Sequence, residues 1–356
     1  MRRLWIYAVL ALLALGTFSG CDMLCELCDE SGGTSPGPAP DVEVEVPRGG
    51  SVTREVTVRL PDPGSGELGA DVMWLVDLSG SFDDDLANWR TQTRDIAGAL
   101  QRVVPNLRVG LASFVDAPCG EFGFEGDYGY KLELALTDDV AALGERVDDL
   151  EIYNGWDEPE SQLEAMYQAM TGAGRRVTVS GCESASIPSS SPGWTSGRLR
   201  FLLVSTDAAF HTPADAGYPY PTTAADVIDT AKRLGVRIFF FNSGELDRSA
   251  SDIAAATGGA VYDVGADSSE LVNAIDEAVN GAVSRAEVRL VPVGDRGLVS
   301  RVSPASRVVD LRTTRSVTFQ VTFTDTGSAS GEVRFNLEVR VNGSQVHTLA
   351  VVVRIR

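Results

Sequence analysis

The apolar positions of this chain change period twice along its length. Val42, Val44 and Val46, and then Val56, Val58 and Leu60, recur at every second residue, with Arg48-Gly49-Gly50 between them. A period of two belongs to a strand with one buried face, so this segment reads as a hairpin of half-buried strands. The same texture returns near the far end, through Val317, Phe319, Val321 and Phe323 and then Val333, Phe335, Leu337, Val339 and Val341. There Asn342-Gly343 precedes a last alternating run through Val353, and Asn-Gly between two such runs is the strongest short hairpin signal. From about 69 to 285 the pattern differs. Apolar runs at 72–76, 109–115, 202–204 and 236–241 alternate with helix-period stretches such as Leu86, Trp89, Thr93, Ile96, Leu100 and Val103. Strands alternating with helices predict a doubly wound α/β fold with a mostly parallel central sheet, flanked on both sides by β-rich pieces. In that class ligands bind beyond the carboxyl ends of the strands.

The first residues predict an address. Met1-Arg2-Arg3 is followed by an apolar run over 4–15, too short for the roughly 20 residues that span a bilayer. Phe18-Ser19-Gly20-Cys21 resembles a bacterial lipobox, which implies a signal peptide over 1–20 and lipidation of Cys21. The Gly/Ser/Pro-rich stretch within 21–40 reads as a flexible, lipid-anchored tether. The expected location is therefore a bacterial cell envelope, with the chain held to a membrane through Cys21. Of the other cysteines, Cys25 and Cys28 fall in the tether, and Cys119 and Cys182 in the α/β part. Disulfides or free thiols suit an oxidising compartment better than zinc, which would need further ligands, and the connectivity stays open. Residues 172–197, rich in Ser, Gly and Pro, read as an insertion near the top of the sheet that brings Cys182 toward Cys119 as a candidate disulfide.

Charge narrows the function. With 30 Lys plus Arg against 50 Asp plus Glu, the net charge is −20, and nucleic acid is excluded because phosphate binding needs clustered cations. The hydrophobic fraction of 44% supports a packed core rather than disorder. Only two histidines, His211 and His347, are present, which leaves little material for histidine chemistry; His211 reads as a solvated loop residue.

The candidate chemistry sits directly after the run at 72–76. Asp77-Leu78-Ser79-Gly80-Ser81 is a D-x-S-x-S turn between strand and helix, and a second acid, Asp207, ends the run at 202–204. Alternate side chains on such a turn gather one carboxylate and two hydroxyls, hard oxygen donors suited to Mg²⁺, Mn²⁺ or Ca²⁺. The plainer reading of these residues is helix capping. The layout resembles a von Willebrand factor A (VWA) domain, of Rossmann-like fold, with its metal-ion-dependent adhesion site. More closely, DVMWLVDLSGSFDDDL, VGLASFVDAP, WDEPE and LLVSTDAAFH resemble the I-like domain of integrin β subunits. That resemblance implies an I-like domain over 69–285 inserted into a β-sandwich, hybrid-like domain made of 41–68 and 286–356.

Carried over by position, the resemblance implies that Asp77, Ser79, Ser81, Glu160 and Asp207 surround a Mg²⁺ or Mn²⁺ ion with one position open for an acidic side chain of a protein partner. Asp84 and Asp85, with the carbonyls of Ser81 and Ala266, match an adjacent Ca²⁺ site. Asp116, Asp157, Glu160 and the Pro159 carbonyl match a third Ca²⁺ site, where the family's Asn ligand falls at Gly155. The stretch 119–130 corresponds to a shortened specificity loop. The function implied is a membrane-anchored, metal-dependent adhesion or protein-binding module, with a partner subunit as a further expectation. A periplasmic or surface assembly subunit is the alternative, and an enzyme is not expected.

Overall fold

The computed structural model describes residues 39–244, 247–327 and 330–356; the signal peptide, Cys21, Cys25, Cys28 and nearly all of the tether lie outside the described residues. Six strands build the central sheet: β3 (Gly69–Asp77), β4 (Leu107–Phe114), β5 (Lys131–Thr137), β6 (Arg198–Thr206), β7 (Val236–Asn242) and β8 (Val261–Asp263). Their order is β5-β4-β3-β6-β7-β8, and every pairing except β4 with β5 is parallel. Strand β3 lies in the middle and is buried along its whole length, which is why its sequence is a continuous apolar run rather than an alternating one.

The sheet has helices on both faces. Val72, Trp74 and Val76 share one apolar cluster with Leu86, Trp89, Ile96 and Leu100 of α1 (Asp83–Val103) and with Ile275 and Val279 of α6 (Leu271–Ser284). Met73 and Leu75 point the other way, into a cluster with Met166 of α3 (Gln162–Thr171), Val227 of α4 (Ala224–Leu234) and Ile253 of α5 (Arg248–Thr257). The helix-period positions 86, 89, 93, 96 and 100 are all buried on α1, as expected of one apolar stripe on a 3.6-residue repeat. The short helix α2 (Val140–Asp148) begins at Asp139, whose side chain accepts from the Ala141 and Ala142 N–H groups.

The remaining strands form two further sheets. One has five strands in the order β1 (Val42–Val46), β14 (Ser344–Ile355), β13 (Gly331–Val341), β9 (Ala286–Val293) and β11 (Arg307–Val309); the other has three, β10 (Val299–Ser303), β12 (Ser316–Thr324) and β2 (Ser51–Arg59). Apolar residues of both, among them Val46, Val58, Phe319, Phe335 and Leu337, belong to the same cluster as the α1 and α6 face. Here one expectation is corrected. β1 and β2 do not pair with each other: β1 runs parallel to β14, and β2 runs antiparallel to β12. The Arg48-Gly49-Gly50 turn instead carries the chain from one sheet to the other, with Asp325 accepting from the Gly49 N–H at 2.9 Å. Alternation identifies a buried face but not the neighbouring strand.

The Asn342-Gly343 turn does join β13 to β14, with φ of 54° and 86°, the left-handed pair a two-residue hairpin needs. It also docks on the end of α4, where Ser344 Oγ donates to the Gly235 carbonyl at 2.7 Å. Gly235 has φ +68°, and a Cβ there would stand 2.6 Å from the Gly343 oxygen. Gly235→Ala is therefore expected to cost about 1–3 kcal/mol, read as a lower urea midpoint at unchanged slope.

Candidate metal centre

Three segments at the carboxyl ends of the strands are joined by backbone hydrogen bonds. After β3, the Tyr153 N–H donates to the Leu78 carbonyl (2.8 Å) and the Gly80 N–H to Asn154 (3.1 Å). After β6, the Glu160 N–H donates to Ala209 and the His211 N–H to Glu160, both at 2.9 Å. A Cβ at Gly80 would lie 3.0 Å from the Asn154 oxygen, so the glycine of the D-x-S-x-S turn permits this close approach.

Within that frame Asp77 is fully buried, its Oδ1 accepting from the Ser79 N–H (3.0 Å) and its Oδ2 from the Thr206 hydroxyl (2.7 Å). Ser79 Oγ and Ser81 Oγ are 3.2 Å apart. Ser81, Glu160 and Asp207 line one cleft together with Gly155, Trp156 and Asp157. Glu160 Oε2 and Asp207 Oδ1 are buried without a hydrogen-bond partner among the described residues. Burial raises Asp77 to about 7, the charge of Asp207 adding to it and hydrogen bonds from Thr206 and Ser79 opposing. Glu160 is pushed up to about 11 by burial and then by Asp77, Asp116, Asp157 and Asp127. Burial also raises Asp207, against a hydrogen bond from Ser81.

Beside this group, Asp85 is buried and accepts from the Ser268 hydroxyl, while Asp84 is exposed. Burial raises Asp85 to about 6, with Ser268 and Ser243 opposing and the charges of Asp207 and Asp84 adding. The turn that carries Ala266 is held against α1, because Asn88 donates to the Asp267 carbonyl at 2.7 Å and Gln92 to that of Ser268 at 3.2 Å.

A family model described as the integrin beta chain VWA domain matches residues 67–218. The chain carries an integrin-β-like VWA domain. Integrin beta-PS of Drosophila melanogaster is 27% identical over 160 residues, covering 41% of this chain and 17% of the fly protein. Integrin beta-6 of Rattus norvegicus is 27% identical over 185 residues, covering 47% and 21%. The chain thus spans about a fifth of the length of these relatives. Among solved structures, the pilus adhesin SpaC from Lactobacillus rhamnosus GG aligns over 86% of this chain and 46% of its own at 12% identity, with a TM-score of 0.41.

The VWA domain holds its third group of acids differently from the expectation for His211. Far from being solvated, His211 is 3% exposed. Its Nε2 lies 3.0 Å from Asp116 Oδ2 and 3.3 Å from Asp157 Oδ2, and its Nδ1 lies 3.0 Å from Asp215. The ring stacks on Tyr218, with centroids 4.5 Å apart, and meets the edge of Phe122. Burial opposes its charge, but hydrogen bonds and charges from Asp116, Asp215 and Asp157 raise it to about 9. The only sequence signal was an acid four residues further on, Asp215, and a lone i,i+4 pair in a loop says little about burial. Asp116, Asp157 and His211 offer ligand atoms all within 4.8 Å of one another. Asp116 also accepts from Ser161 Oγ (2.7 Å) and the Ala117 N–H (2.6 Å).

Two further placements complete the site. Pro159 directly precedes Glu160, and Gly155 takes φ +63°; a Cβ there would lie 2.6 Å from Glu160 Oε1, so the glycine leaves room for that carboxylate. Cys119 and Cys182 form a disulfide with Cα atoms 5.1 Å apart, tying the 172–197 insertion to the loop that carries Phe122. From that loop Phe124 packs on Trp156 of the segment leading to Glu160, centroids 4.6 Å apart, with 40% and 60% exposure, while Tyr130 is buried.

Proposed function

We propose that this chain is a divalent-metal-dependent protein-binding module of the adhesion type, tethered to a bacterial cell envelope by a lipid on Cys21. In this reading 69–285 forms the binding domain, set into a β-sandwich of 41–68 and 286–356. Asp77, Ser79, Ser81, Glu160 and Asp207 would hold Mg²⁺ or Mn²⁺, and the acids around Asp84–Asp85 would take Ca²⁺; Asp116 and Asp157 would do so only in exchange for the His211 proton they now stabilise. The observation that carries the reading is the uncompensated charge of the cleft. Asp77, Glu160 and Asp207 are held together with two buried oxygens unpartnered among the described residues, and the strongest charges acting on Glu160 are other carboxylates. Buried carboxylates without a counter-charge are costly, and the donor set is all hard oxygen, as Mg²⁺ requires. When bound, the ion supplies a positive point to which a partner's carboxylate can bind.

The chain's own residues prepare that position. Ser79 and Thr206 orient the Asp77 carboxylate, the Glu160 backbone fixes the 207–211 segment, and the exposed Phe124–Trp156 pair stands at the rim. An enzymatic reading gains little from His211: held at about 9 among three carboxylates, it is protonated at neutral pH and is not a free base. No helix of the described residues is long and apolar enough to cross a membrane.

The test is capture of envelope proteins from a native membrane extract. Capture by immobilised protein is expected in Mg²⁺, to be lost in EDTA, to return on adding Mg²⁺ back, and to be absent for Asp77→Ala. A partner retained equally in EDTA and by the Asp77→Ala protein would show that recognition does not pass through the metal centre.

A further inference from the structure

At the opposite end of β7 from the carboxylates, a cleft of about 450 Å³ lies where the ends of α4 and α5 meet β9 and β13. Its lining carries Lys232, Arg237, Arg289 and Arg340 against one acid, Glu287, in a chain whose net charge is −20. Two of these cations are already engaged: Arg289 donates to Glu287 at 2.9 Å, and Arg340 to Glu338 through two nitrogens at 3.0 and 2.7 Å. Arg237 is not. Its guanidinium makes no hydrogen bond or ion pair among the described residues, and only the more distant charge of Glu287 offsets its burial.

Three hydrogen bonds tie the surroundings together. Ser344 Oγ holds the Gly235 carbonyl at 2.7 Å, Asn342 donates to the Ala282 carbonyl at 2.8 Å, and the Glu287 N–H donates to Asn342 Oδ1 at 2.9 Å. A half-buried, unpartnered guanidinium among three more cations is unfavourable by itself. Its planar fork of N–H donors matches the oxygens of a tetrahedral anion. We propose that this cleft is a binding site for a small divalent oxyanion of the sulfate and phosphate class, with Arg237 as the central contact and Lys232, Arg289 and Arg340 around it.

The experiment is calorimetric titration of the purified protein with sodium sulfate, in Mg²⁺ buffer with chloride adjusted to constant ionic strength. Saturable binding at low millimolar sulfate or below is expected, weakened about tenfold or more in Arg237→Gln, the loss of one hydrogen bond between charged groups. Without sulfate, Arg237→Gln should melt no lower than wild type, because it removes an unpaired charge; a lower melting temperature would assign Arg237 a structural role and overturn the proposal. Lys232→Gln, at an exposed position, provides a second variant and should weaken binding in the same sense. A parallel titration with glycerol phosphate separates sources: tighter binding than sulfate points to a phosphate ester, weaker binding to the free ion. Heats that do not saturate, or affinity equal in wild type and both variants, would overturn the proposal.

Discussion

Asp77→Asn is expected to be more stable than the wild-type protein in EDTA at pH 8 and less stable than it in saturating Mg²⁺. The crossing follows from the charges in the cleft. Without an ion, Asp77 is a buried acid raised to about 7, with Asp207 adding to the strain, and removing one charge relieves the group. The amide oxygen still accepts from the Ser79 N–H, but the Thr206 hydroxyl, which already accepts from Gln162 Nε2 and the Ala208 N–H, loses its acceptor, at a cost of about 1 kcal/mol. With an ion, wild type gains RT ln(1 + [L]/Kd), about 2.7 kcal/mol at a hundredfold excess over Kd, or several degrees of melting temperature. The asparagine variant forfeits most of that gain. Thermal melts of the two proteins in EDTA, Mg²⁺ and Ca²⁺ provide the check. Melting temperatures that ignore all three conditions would remove the basis for a metal centre, and a variant less stable than wild type in EDTA would mean that the Asp77 charge is satisfied by the protein itself.

The second large effect is a stability that falls as pH rises, seen only when metal is chelated. Asp77 and Glu160 are held at about 7 and about 11 in the folded chain, against 3.8 and 4.5 when free, so the native state binds protons that the unfolded state releases. Their favourable contribution is complete below the unfolded values and is lost as pH rises toward the folded ones. His211 acts in the same sense, its raised value of about 9 contributing stability below 6.5 that is lost as pH approaches 9. Between pH 5 and 9 in EDTA the melting temperature should therefore decline. Excess Mg²⁺ should flatten or reverse that slope, because the ion displaces the protons and binds more tightly as they leave. Melts at pH 5, 7 and 9, with and without metal, measure both slopes. A level EDTA series would show that the carboxylates are ionised and satisfied without a cation.

Much of the central fold was legible because burial imprints directly on sequence. Strand β3 is covered on both faces and reads as an unbroken apolar run, while α1 shows its single buried stripe at 86, 89, 93, 96 and 100. The D-x-S-x-S turn was equally plain, since a strand, a tight turn and a helix start follow one another without a gap. Glu160 was harder: nothing local marks it, and it entered only through resemblance to integrin β chains. His211 was misread because its burial depends on Phe122, Asp116 and Asp157, which the chain supplies from distant loops, as well as on Asp215 and Tyr218 of its own loop.

The sequence alone indicated the strands that become β1–β4, β6, β7 and β12–β14 and the helix α1, with the buried stripe of each, and which residues offer hard oxygens at the end of a strand. These are local properties, written in the period of the side chains and in the few residues that a turn tolerates. Only the tertiary structure decided that β1 and β2 part into different sheets, that His211 lies between Asp116 and Asp157, that Cys119 meets Cys182, and that Arg237 faces a cleft with no partner among the described residues. Each of these depends on segments far apart in the chain meeting in space. A carboxylate or guanidinium looks the same in sequence whether its eventual neighbour is water, an opposite charge or another charge of its own sign.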